Sequence, residues 1–244
     1  MTADWVQGDG SVADRLWLAD WRRRVADLYA EVRAMAAIDP ALALAHWRAV
    51  RERLYREHPQ SPVPAADRDA FRASHFEHDP RLRFTVAIEP EAALAGAPDG
   101  LGLPLPRAPG APAAGSPALA PALSLALPNS GAETLAFSRL GQIELPLPDG
   151  SRRLSVFWMA GYAGGLFIPF RDATNGAETY GAGRYLVDAA KGADLGGDPV
   201  AGTITIDFNF AFQPSCAFDP RWACPLASPE NRLDVPIRAG ERLA

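Results

Sequence analysis

The densest run of chemically useful side chains is Asp172-Ala173-Thr174-Asn175-Gly176-Ala177-Glu178-Thr179-Tyr180-Gly181-Ala182-Gly183-Arg184-Tyr185. It carries two carboxylates, two tyrosines, three glycines and an arginine. Glycine tolerates positive φ and lets backbone approach a ligand closely. Arg184 offers a planar fork that matches a carboxylate or a phosphate. Two readings follow: a binding loop in which Arg184 anchors an anion, or a turn stapled by a buried Arg–carboxylate pair. Gly181-x-Gly183 lacks the third glycine and the strand-to-helix setting of a dinucleotide fingerprint, so it does not point to a nucleotide.

A second cluster, Asp207-Phe208-Asn209, stands where a strand runs out. Polar groups at a strand end are placed to face a pocket mouth. The same residue types also form turns by bonding nearby backbone. Asn231 and Glu241, further on, read as polar groups buried with partners. Together, Glu178, Tyr180, Arg184, Tyr185, Asp207, Asn209 and Asn231 are the candidate ligand-binding residues.

Cys216 and Cys224 are the two cysteines of the chain. A disulfide between them would close a small loop and contribute about 2.5 kcal/mol in the chain-entropy treatment, but a reducing compartment disfavours it. A reactive thiol and a reduced structural pair are the other thiol readings. A metal site would need His75 and His78 to join the cysteines, whose spacing is not a recognised zinc pair. Glu178 and Asp207 are the candidate general bases of an enzyme. No Gly-x-Ser-x-Gly elbow accompanies them. His46, beside Trp47 in a helical stretch, reads as structural, and His58 as the end of that helix.

These residues need elements to position them. Trp17, Trp21, Val25, Leu28, Val32 and Met35 recur at three- and four-residue steps, which predicts an amphipathic helix over 12–36. Asp39-Pro40 then supplies an N-cap and a proline at the first helical position. A second helix follows over about 40–57, with Leu44, Trp47, Val50 and Leu54 on one face. Residues 58–64 hold three prolines and break it; a short helical turn is expected at 66–73. From 82 the period falls to two: Leu82, Phe84, Val86 and Ile88 alternate with polar or small residues, as in a strand. Residues 91–122 are an Ala/Pro/Gly tract, read as a long surface insertion. Further strands are expected at 121–127, 133–138, 141–146, 152–159, 165–170, 183–187, 202–208 and 233–238. Many short strands without intervening helices predict a mostly β (α+β) fold, an antiparallel β-barrel or sandwich-like core. The expected organisation is an N-terminal helical hairpin over 1–60 packed on a β-rich core over 61–244.

The chain has 244 residues, 24 basic against 29 acidic, for a net charge of −5. A general nucleic-acid binder would show a basic domain, so no nucleic-acid partner is expected. Lys191 is the single lysine, in a glycine-flanked loop. A Schiff-base lysine is usually desolvated, which argues against that role. The first residues show no basic start and apolar run of a secretory signal, and no apolar run is long enough for a membrane helix. The expected location is the cytoplasm.

The segment from Phe170 to Leu186 resembles the signature of a bacterial and archaeal family called domain of unknown function 1684. So do Asp207-Phe208-Asn209, Pro214-Ser215-Cys216-Ala217, Cys224-Pro225-Leu226, Pro229-Glu230-Asn231 and Ile237-Arg238-Ala239-Gly240-Glu241. The hairpin, His58-Pro59-Gln60-Ser61-Pro62 and Asp79-Pro80 fit as well. The resemblance implies a shared fold and brings no activity, cofactor or catalytic residue with it. The tract at 91–122 is longer than the family's usual link. Phe210 and Gln213 stand where a polar residue and an asparagine are expected.

Three functions are therefore carried forward. The first is binding of a small anionic molecule in a β-barrel pocket lined by the seven residues above. The second is a hydrolase-type or thiol/metal-assisted enzyme, with Glu178 or Asp207 aided by Cys216, Cys224, His75 or His78. The third is a protein-interaction module using the helical hairpin.

Overall fold

A computed structural model of the chain describes residues 11–91, 124–127, 130, 136–159 and 164–243. The anticipated Ala/Pro insertion, apart from Glu91, lies outside these residues. Helix α1 (Val12–Ala36) begins with a capping box, in which the Ser11 hydroxyl accepts from the Asp14 amide and the Asp14 carboxylate accepts from the Ser11 amide. Such reciprocal caps satisfy amides that have no partner inside the helix. Helix α2 (Pro40–Glu57) starts at Asp39, whose carboxylate accepts from the amides of Ala41 and Leu42, with Pro40 at the first position. Both helices fall where the apolar periodicity puts them.

The strands are β1 (Ser74–His75), β2 (Arg83–Pro90), β3 (Ser124–Ala126), β4 (Ala136–Leu147), β5 (Gly150–Met159), β6 (Gly165–Phe170), β7 (Arg184–Asp188), β8 (Gly197–Asp198), β9 (Thr203–Asp207) and β10 (Glu241–Arg242). Seven of them form a curled antiparallel half-barrel in the order β7-β6-β5-β4-β2-β9-β8, and β3 pairs with β4 beside it. Strands β1 and β10 make a separate two-stranded ribbon.

The two strands expected at 133–138 and 141–146 merge into the single strand β4, which bulges between Arg139 and Gly141. A Cβ at Gly141 would sit 2.1 Å from the Glu89 carbonyl oxygen, so only glycine permits this approach of β2. The strand expected at 233–238 is not formed. In that segment the Val235 carbonyl accepts from the Ala173 amide and the Ile237 carbonyl from Arg184. The expected turn at 66–73 shrinks to a 3-10 turn at Ala65–Asp67.

The sheet is covered on both faces. Ile143, Leu145, Leu154, Val156, Ile168 and Phe170 pack into a core with Phe208, Leu233 and Ile237. Phe137, Phe157, Phe167 and Tyr185 turn to the other face and meet Leu28, Val32, Leu44 and Trp47 of the hairpin. Trp47 is fully buried, a burial that contributes up to about 5 kcal/mol by area. Trp17, at the start of the α1 face, remains 43% exposed.

Candidate functional site

The polar segment after β6 folds into a closed knot. The Asp172 carboxylate accepts from the Thr174 amide at 2.6 Å and also from the Thr174 hydroxyl. Asn175 accepts from the Asp172 amide at 2.6 Å and donates to the Tyr180 carbonyl at 2.7 Å. Gly183 has φ +106°, and a Cβ there would lie 2.5 Å from the Phe170 carbonyl oxygen, so the return into β7 requires glycine.

Arg184 sits under this knot with its side chain wholly buried against Asp172 at 2.6 Å. Its Nη2 also donates to the Ile237 carbonyl at 2.8 Å, and its Nη1 to the carbonyls of Ala239 and Glu241. All four Nη hydrogens are thus engaged, while the buried Nε has no partner among the described residues. Burial pulls the Arg184 pKa down, and the adjacent Asp172 carboxylate opposes that shift. The anion that meets this fork is the chain's own Asp172. Of these three carbonyls, that of Ile237 lies within the stretch expected to form a strand at 233–238.

The other expected residues are distributed rather than gathered. Asp207 pairs with Arg83 at 3.0 Å and caps the Asn209 amide at 2.9 Å. Asn209 clamps Asp79, accepting from its amide at 2.9 Å and donating to its carbonyl at 2.8 Å. Asn231 is fully buried, accepts from the Ser155 amide at 2.7 Å and donates to the carbonyls of Ser155 and Pro169. Glu178 is held by the Arg238 fork, which keeps its carboxyl below the usual range. Glu241 meets Arg51 in a buried pair, with the Arg51 guanidinium stacked over Tyr55 at 4.4 Å and Phe212 at 4.7 Å.

Cys216 and Cys224 do meet. Both are free and buried, and the Cys216 amide donates to the Cys224 sulfur at 3.4 Å. Ser130 holds the loop, accepting from the Cys224 amide at 2.8 Å and donating to the Trp222 carbonyl at 3.1 Å. The Tyr180 hydroxyl lies in hydrogen-bonding reach of the Cys216 thiol. The histidines go elsewhere. His75 stacks edge-on against Trp47, and His78 is exposed. Among the described residues no group of three or more His, Cys, Asp or Glu could hold a metal ion.

The sequence reading missed one cavity. A cleft of about 280 Å³ lies between α1 and the β6–β7 end of the sheet. Its floor is Phe137, Met159, Leu166 and Phe167, and its polar rim is Arg22, Asp188 and Lys191. Arg22 makes no ion pair among the described residues and is close enough to Lys191 to repel its charge. Lys191 pairs with Asp188 at 2.9 Å and is still 43% exposed. Burial lowers the Lys191 pKa, but the Asp188 carboxylate outweighs it and the net shift is upward. The Tyr185 hydroxyl donates to the Pro225 carbonyl and thereby fixes one wall. The available signals were a lone lysine among 24 basic residues and an arginine beside Trp21. Neither has a spacing that marks a cleft, because α1 and the loop after β7 meet only in the tertiary fold.

The solution NMR structure of the uncharacterized protein from gene locus rrnAC0354 of Haloarcula marismortui is similar to this chain, with 27% identity and a TM-score of 0.54. The similarity covers 86% of this chain and 97% of that one. No curated protein matches. The family model described as "Protein of unknown function (DUF1684)" matches residues 117–242. That span contains the knot, Arg184, both cysteines and Asn231, and the chain belongs to this family.

Proposed function

We infer that the protein binds a small amphipathic anion, a carboxylate on a short apolar body, in the cleft between α1 and the β6–β7 end of the sheet. The observation that carries this reading is the rim of Arg22 and Lys191 over a floor of Phe137, Met159, Leu166 and Phe167. Among the described residues Arg22 is the free positive charge there, since Lys191 is balanced by Asp188. A guanidinium suits a carboxylate because its N–H groups form a planar fork. At about 4 Å the attraction is roughly 1 kcal/mol in water and about 4 kcal/mol near a protein surface. The volume lies just below the range of about 300–1,000 Å³ usual for ligand pockets, which favours a ligand of few atoms. Of the residues first expected to line a pocket, Tyr185 contributes by holding Pro225 in place.

Hexanoate is the probe, with hexylamine and inorganic phosphate as controls, read by calorimetry and by amide shifts in NMR spectra. Hexanoate is expected to bind with a Kd between about 10 μM and 1 mM, and Arg22→Gln to weaken it about tenfold. Phosphate lacks the apolar body and hexylamine the charge, so neither should compete. Absence of hexanoate binding up to roughly 10 mM, a binding energy weaker than about 3 kcal/mol, would sink the reading. Equal binding of hexylamine, or an unaltered Kd in Arg22→Gln, would do the same.

A further inference from the structure

We propose that Cys216 and Cys224 are a redox-active dithiol that a hydroperoxide converts into an intramolecular disulfide. This inference is independent of the anion reading and stands on the geometry of the loop that carries both sulfurs. Cys216 lies in the 3-10 turn Ser215–Ala217, and its amide points at the Cys224 sulfur at 3.4 Å. The intervening residues are tied back by Ser130 to the backbone of Trp222 and Cys224, so the second thiol is presented to the first. Asp219 caps the Arg221 amide at 2.9 Å and shortens the loop further. The loop's backbone and side-chain bonds thus hold the two cysteines side by side.

The neighbours divide the two thiols into unequal partners. Hydrogen bonds to the Cys216 sulfur from the Cys224 thiol and the Tyr180 hydroxyl favour its thiolate and pull its pKa down. Cys224, acting as the donor and buried, is shifted upward. The opposite shifts bias the pair toward one thiolate and one thiol, the arrangement of a nucleophile beside a resolving group. A recess of about 70 Å³ lined by Cys224, Ser215, Trp21 and Lys191 reaches the pair from the Cys224 side, next to the turn that carries Cys216. A water needs roughly 10–15 Å³ of such space, so the recess has room for a molecule of the size of hydrogen peroxide beside the pair.

The chemistry balances in two steps. The Cys216 thiolate attacks one peroxide oxygen and the O–O bond breaks. The departing alkoxide or hydroxide takes a proton and leaves as an alcohol or water. Cys216 becomes a sulfenic acid. Cys224, losing its proton, attacks that sulfur; the S–O bond breaks and the hydroxide leaves with the proton as water. The two sulfurs lose two electrons to the peroxide. With only two soft donors gathered and no third His, Cys, Asp or Glu beside them among the described residues, the donor set falls short of the four ligands of a structural zinc site.

Reduced full-length protein is treated with hydrogen peroxide, quenched, unfolded, alkylated with iodoacetamide and weighed intact. The expected product is a monomer two hydrogens lighter, with neither cysteine alkylated, restored by dithiothreitol. Cys224→Ser should stop at a sulfenic acid on Cys216 that dimedone traps, and circular dichroism shows whether that variant is folded. In wild-type protein, which needs no substitution, the pH midpoint of Cys216 alkylation should fall below the ordinary thiol value of about 8.5. Two alkylatable thiols after peroxide, a disulfide between chains, or overoxidation without a disulfide each overturns the proposal.

Discussion

Replacing Arg184 by methionine keeps most of the side-chain volume and removes the fork. It would leave the wholly buried Asp172 carboxylate without its cation. It would also strip donors from the carbonyls of Ile237, Ala239 and Glu241. Hydrogen bonds to a charged group contribute about 1.5–3 kcal/mol each, but the desolvation of the guanidinium offsets much of their sum. Removing one partner of a buried pair costs about 3–5 kcal/mol net, and that figure is the expected loss here. It is a large part of the about 5–15 kcal/mol that holds a domain together. For a chain of this length, with an unfolding entropy of about 0.5 kcal/mol/K, Tm should fall by roughly 6–10 °C. Urea unfolding at neutral pH, followed by fluorescence and by circular dichroism, measures it. Asp172→Asn should lose less, because the amide keeps the shape and can still accept. The double variant should lose less than the two losses added, since the charge stranded by each single change is absent. A loss under about 1 kcal/mol for Arg184→Met would refute the argument, because it would put the pair on a par with a surface salt bridge.

Two further predictions concern stability. Burial pushes His75 down to about 4, against an ordinary value of 6.5. The unfolded chain then binds a proton at a pH where the folded chain does not, so stability is complete above pH 6.5 and declines as pH falls toward 4. The decline reaches at most about 3 kcal/mol, and His75→Phe should flatten it in urea midpoints taken across that window; an unchanged slope would count against the burial argument. The oxidised Cys216–Cys224 form should be more stable than the reduced form by about 2.5 kcal/mol, or roughly 5 °C in Tm, as differential scanning calorimetry of the two forms would show. A lower Tm in the oxidised form would mean that closing the bond distorts the 215–224 loop.

The amino-acid sequence by itself determined the helices and most of the sheet. Capping at Ser11 and Asp39 and the apolar steps along α1 and α2 are local, so their boundaries can be read without the rest of the chain. The alternation in β5 and the apolar run of β6 are likewise local signals. The fusion of two expected strands into β4 was not legible, because it depends on the approach of Glu89 to Gly141 across the sheet. Nor was the absence of a strand at 233–238, where the Val235 carbonyl meets the Ala173 amide and the Ile237 carbonyl meets Arg184, 53 residues away.

The candidate site divides along the same line. The sequence marks Arg184, Asp207, Asn209 and Asn231 as polar groups in unusual company, and each is indeed buried. It does not say whether a buried polar group faces a ligand or its own chain, because both satisfy the same hydrogen-bonding demand. Only the tertiary structure pairs Arg184 with Asp172, sets Cys216 against Cys224, and brings Arg22 to Lys191 over an apolar floor. Arg22 and Lys191 are 169 positions apart in the sequence. Their shared cleft exists because α1 lies across the end of the sheet, a packing made by the whole hydrophobic face rather than by any motif.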